Sequence, residues 1–162
     1  MGTNWEPLHH RTEAGTDDWR TPQEFFQKLH AEFSFFVDAA ASAQNAMLPH
    51  YWTREVDGLV QDWVGVGGPV WCNPPYGRDV GEWVWKAWDA ARRGNTVVML
   101  IFARTDTKWW HQYAMRASEI RFVRGRLRFE KPDGTRGATD PVPSAVLVFR
   151  PEHSGEPKVV SW

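Results

Sequence analysis

Cysteine is almost missing from this chain: Cys72 is the one thiol in 162 residues. A single thiol excludes an internal disulfide and a cysteine-built zinc site, and beside an apolar stretch it reads as a small core residue. No metal chemistry is suggested. Long hydrophobic runs are missing too. Nothing approaches the ~20 apolar residues of a membrane span and no secretory signal opens the sequence, so a cytoplasmic protein without a membrane partner is expected. There is no internal repeat. A chain of this length is about one domain, and the expected organisation is a loose arm over 1–18, one domain over 19–151 and a flexible tail over 152–162.

Net charge is nearly absent, at −1, but the sum hides an asymmetry. Residues 1–62 carry ten acidic and four basic side chains, whereas residues 104–137 carry nine basic and four acidic. A basic segment of this kind either meets a polyanion or is a solvated hairpin with no partner. The 11 tryptophans fall mostly at helical or strand spacing and read as core. Of Trp109 and Trp110, at least one should face the interior.

Apolar spacing outlines the fold. "TPQEFFQKLHAEF" is a helix with Thr21 as N-cap, Pro22 in the first turn and Glu24 closing a capping box. "FSFFVDAAAS" holds a short buried strand ending at Asp38, and "LVQDW" and "GPVWCN" read as two more. A helix near 79–93 stops at Gly94. "NTVVMLIFA" is a strand buried on both faces, a helix follows over about 106–117, "EIRFVRGRLRFE" alternates, and "PSAVLVFR" closes the sheet. Alternating strands and helices predict an α/β fold with a mostly parallel sheet and an antiparallel C-terminal edge.

Chemistry gathers at the ends of these strands, where open α/β sheets bind ligands. Asp38, Asn73 and Arg104 each stand at such an end. Asp38 is followed by Ala39, Ala40, Ala41 and Ser42, small enough for a ligand to approach; its alternative role is a helix N-cap. Asn73 opens "NPPYG", where two prolines end the strand and stiffen the turn. An exocyclic base amine is a weak nucleophile because its lone pair is delocalised into the ring. Two acceptors on its hydrogens, Asn73 Oδ1 and the Pro74 carbonyl, would aim that lone pair, and Tyr76 would offer a stacking face. With a sulfonium as methyl donor no strong base is required, and positioning does most of the work.

The ordered stretches "DDWRTPQEFF", "FVDAAAS", "DGLVQDW", "VWCNPPYG", "ARTDTKWWH", "IRFVRGRLRF" and "PSAVLVF" resemble the phage-type, Dam-like DNA N6-adenine methyltransferase family. The resemblance implies a Rossmann-like fold dependent on S-adenosylmethionine, of bacteriophage or prophage origin, with a role of the restriction-modification type. It implies that Asn73, Pro74, Pro75 and Tyr76 form the catalytic turn. It places Trp19, Thr21, Pro22, Asp38 and Ala39 near the methionine part of the cofactor, and Asp57 and Asp62 near its ribose and adenine. Arg104 and Lys108 would face nucleotide, and Arg124, Arg126 and Arg128 would contact the backbone of a DNA substrate, single- or double-stranded. The usual glycine-rich first motif is replaced here by alanines. RNA bases, the N4 amine of cytosine and a protein glutamine pose the same chemical problem, and a silent nucleic-acid binder is the non-enzymatic alternative. A monomer or weak homodimer is expected.

Overall fold

A computed structural model describes residues 19–137 and 139–162; the expected N-terminal arm lies outside them. Helix α1 (Gln23–Phe33) buries Phe26 and Leu29, three residues apart on one face. It ends at Ser34, whose left-handed backbone (φ 52°) returns its N–H to the His30 carbonyl. Pro22 takes the N-cap position and no side chain caps the helix. Thr21 therefore does not serve as N-cap: its hydroxyl is engaged by Asn73.

The strands are β1 (Val37–Asp38), β2 (Val70–Cys72), β3 (Val97–Phe102), β4 (Glu119–Phe122), β5 (Ser144–Phe149) and β6 (Lys158–Ser161), in the sheet order β1-β2-β3-β5-β4-β6. Only β5 runs against the others. The antiparallel component is thus interior rather than at the edge. All six residues of β5 are buried, which suits a central strand better than an edge. Helix α1 covers one face, over Trp71, Val98, Leu100, Val146 and Val148. Helix α2 (Val80–Arg92) and the short α3 (Lys108–Gln112) cover the other, over Val70, Cys72, Met99, Ile101 and Leu147.

Three segments differ from their sequence patterns. "LVQDW" is no strand: Asp57 accepts the Leu59 N–H, Gly58–Val60 form a 3-10 turn, and the Trp63 indole N–H donates to the Gly58 carbonyl at 2.7 Å. Gly58 lies so close to the Ala39 carbonyl that a side chain there has no room. The alternation of 119–130 outlasts its strand, which stops at Phe122; Val123, Leu127 and Phe129 then pack against the α1-side core from an irregular segment. The helix expected over 106–117 is α3, capped by Thr107, followed by a 3-10 turn at Ala114–Arg116. Trp110 is the buried one of its two tryptophans.

The largest correction is the tail. Lys158–Ser161 pair with β4 as a parallel edge strand, and Trp162 exchanges backbone hydrogen bonds with Phe122 and Arg124, each at 2.9 Å. Its ring meets Phe25 edge-on at 4.9 Å. A loose tail would be dispensable. Deleting residues 158–162 should instead destabilise the protein by about 2 kcal/mol or more, through the missing ladder bonds and the uncovered Phe25. Urea unfolding of the truncated chain checks this, and an unchanged midpoint would refute it.

Candidate active site

The turn after β2 is held by side chains from two other parts of the chain. Asn73 Nδ2 donates to Thr21 Oγ1 at 3.2 Å, and the Tyr76 hydroxyl donates to Asn73 Oδ1 at 3.0 Å. The Tyr76 ring stacks on Phe102, the last residue of β3, with centroids 3.8 Å apart and planes 12° from parallel. Pro74 is buried and Pro75 exposed. Burial, with smaller contributions from Asp140 and Cys72, holds the Tyr76 hydroxyl well above its ordinary pKa, so it stays a donor. An amide oxygen has two lone pairs. With one on Tyr76, the other can accept a hydrogen of a bound amine.

Asp38 stands one strand over, its register partner being Trp71. It is buried and accepts the N–H groups of Met47 (3.1 Å) and Ala40 (3.4 Å). It therefore shapes the small-residue loop after β1, and no helix starts there for it to cap. Ala39 is buried in the α2-side core. Asp57 is brought to this loop through Gly58, which abuts Ala39. Asp62 accepts the Val64 and Gly65 N–H groups of its own loop, and its charged neighbours are Arg93, just past α2, and Lys86 within that helix. Pro22 adjoins Thr21 at the start of α1.

Trp19 packs on Gly137, where a side chain would run into its ring, and the Lys131 ammonium lies over that ring at 5.8 Å. Arg20 bridges Glu130. The basic hairpin around 130–136 is thereby fastened next to Thr21. Lys108, Arg124, Arg126 and Arg128 are exposed and Arg104 is half-buried. Arg121, from the same basic run, is spent inside the fold: Glu32 binds it at 2.6 and 2.7 Å and Glu119 at 2.8 Å. Sequence reasoning missed Phe102, hidden in an apolar run, and Asp140, whose effect on Tyr76 crosses the chain.

The family model of DNA N-6-adenine-methyltransferase (Dam) matches residues 9–161. The chain belongs to this family. The DNA N-6-adenine-methyltransferase of Escherichia phage T1 is 33% identical over 128 residues, covering 78% of this chain and 52% of that protein. That of Haemophilus phage HP1 is 27% identical over 140 residues, covering 84% of this chain and 80% of that protein. The chain thus spans about half the length of the T1 relative.

Use of S-adenosylmethionine is general to methyltransferases of this family, and the Dam-family residues around the turn fit such a ligand. Three buried side-chain polar atoms among the described residues lack a partner: Arg20 Nε, Trp71 Nε1 and Ser144 Oγ. Two flank the turn. Arg20 adjoins Thr21, and Ser144 pairs in register with Phe102. Both atoms are closed to solvent, so what the fold offers a ligand here is the half-buried Asn73 and the half-buried Ala40 and Ala41 after Asp38.

Burial pushes the Asp38 carboxyl up to about 7, against the lowering pull of the Met47 and Ala40 N–H groups. The unfolded chain releases this proton near 3.8. Between about 4 and 7 the folded protein holds a proton that the unfolded chain has released, so this group's contribution to stability falls as pH rises through that window. Asp38→Asn should flatten this limb. Urea midpoints at pH 5 and pH 8 should differ less in the variant than in the parent, and equal differences would show that Asp38 does not titrate in this way.

Proposed function

We propose that this chain transfers a methyl group from S-adenosylmethionine to the exocyclic N6 amine of adenine in DNA. The observation that carries the reading is the Asn73 amide, fixed at both ends after β2 beside a stacked tyrosine. The names of the two phage relatives support the choice of substrate. When bound, S-adenosylmethionine supplies the methyl group as an already activated sulfonium.

The chain's own part is binding and orientation. Asn73 Oδ1 and the Pro74 carbonyl accept the two hydrogens of the amine and bias its nitrogen toward pyramidal geometry, directing the lone pair. Tyr76, backed by Phe102, presents a ring face to a base taken out of its stack. Trp19, Thr21, Pro22, Asp38, Ala39 and Asp57 border the cofactor. Arg104 and Lys108 meet nucleotide next to the pocket, and Arg124, Arg126 and Arg128 meet phosphates.

Transfer of labelled methyl to DNA, RNA and protein in parallel, followed by nucleoside analysis, tests the reading. N6-methyladenine in DNA is expected. N4-methylcytosine, a methylated RNA base or a methylated glutamine as the main product would replace it. Asn73→Ala should lower turnover on the order of a hundredfold with little change in cofactor affinity, and Tyr76→Phe should lose less because it keeps the ring. A wild-type rate in Asn73→Ala would remove the proposed mechanism.

The basic segment divides into two kinds of arginine. Neutralising Arg124, Arg126 and Arg128 should weaken binding to DNA of every sequence and reduce the slope of log affinity against log salt by about one for each phosphate that these side chains neutralise. Arg121→Ala should lower the melting temperature and leave that slope alone, since its guanidinium is held by Glu32 and Glu119. The reverse pattern, measured by salt titration of both variants, would assign the phosphate contacts to Arg121.

A further inference from the structure

We infer that Thr21 is a positioning residue for Asn73, and that its hydroxyl helps hold the amide with its oxygen available to the base. The inference rests on the proposed methyl transfer and adds a requirement to it. An amide has one useful end for this chemistry: the oxygen accepts from an amine, whereas the nitrogen offers two more donors and repels it. A half-turn about the terminal torsion exchanges the ends, and that torsion is broad and roughly two-fold. Something outside the side chain must choose between them.

The structure supplies one hold on that torsion at the nitrogen end. Thr21 Oγ1 accepts from Asn73 Nδ2 at 3.2 Å across 52 residues of sequence. Thr21 is 2% exposed, so bulk water does not stand in for its oxygen. The hydroxyl is also not used where the sequence would put it, since α1 starts without a side-chain cap. At the other end the Tyr76 hydroxyl donates to Oδ1 at 3.0 Å. With the hydroxyl of residue 21 removed, the half-buried Nδ2 loses that partner, and the Tyr76 hydroxyl, which can donate or accept, does not by itself fix the amide's orientation. The terminal torsion is then free to turn and present the wrong end to the base.

The decisive comparison uses Thr21→Val, which keeps the shape and removes the hydroxyl, with Thr21→Ser, which keeps the hydroxyl. Thr21→Val should lower kcat about tenfold at saturating S-adenosylmethionine, and Thr21→Ser should restore most of the rate. In an Asn73→Asp background the same Thr21→Val change should cost clearly less, because a carboxylate has no donor end to misplace. An equal loss in both backgrounds, or a loss confined to KM for the cofactor, would overturn the inference. A readout without turnover separates it from the proposed activity. In NMR spectra of the unliganded protein, the Asn73 side-chain amide protons should exchange slowly with water in the parent and in Thr21→Ser, and fast in Thr21→Val. If the parent methylates no substrate while this exchange pattern holds, the proposed function fails and the positioning contact stands. If Thr21→Val protects the amide as well as the parent does, the positioning contact fails.

Discussion

Six consecutive side chains of β3 are buried, and the site depends on that constraint. A strand without a solvent face must be covered by helices on both sides and flanked on both edges. Parallel β2 takes one edge and antiparallel β5 the other. The register with β2 carries Cys72 opposite Met99, so the proline turn leaves the sheet before β3 has ended. Three residues further on, β3 delivers Phe102 beneath Tyr76. A shift of one residue in that register would send Phe102 to the opposite face of the sheet, and the tyrosine would lose its support.

Where a segment's stability comes from its own side-chain pattern, the fold was legible in the sequence. Phe26 with Leu29, and Trp83, Val84, Ala87, Ala90 and Ala91, announce α1 and α2 by helical spacing, and "VVMLIF" announces a buried strand. β6 has no such pattern. Val159 is 57% exposed, and the strand exists because β4 has an open edge and Trp162 has a place against Phe25, neither of which is local information. "LVQDW" misleads for the opposite reason. Its apolar residues suit a strand, but the Asp57 side chain competes for a backbone N–H and Gly58 must pass the Ala39 carbonyl.

The site was legible in its composition and not in its connections. Asn73, Pro74, Pro75 and Tyr76 declare a stiff turn with an amide and a ring. The partners that aim them, Thr21 and Phe102, are separated from the turn by tens of residues and were marked by other signals, a helix start and an apolar run. The acids show the same limit. Asp38, Asp57 and Asp62 all stand in stretches that resemble cofactor motifs, yet each accepts backbone N–H groups of its own loop. Sequence reports that an acceptor is present; only the fold reports how many of its lone pairs are already taken.

The charged groups sort by the same criterion. Arg121 and Asp38 are both buried, but Arg121 has two carboxylate partners that favour its charged form, whereas Asp38 has only backbone amides and drifts toward neutrality. The first is a tie between α1 and the sheet that is insensitive to ordinary pH. The second is a carboxyl whose charge depends on what lies near it, because a cationic group beside it would restore ionisation. A sulfonium is such a group. Under the proposed methyl transfer, the loop that Asp38 organises through Ala40 and Met47 would be tied electrostatically to the cofactor.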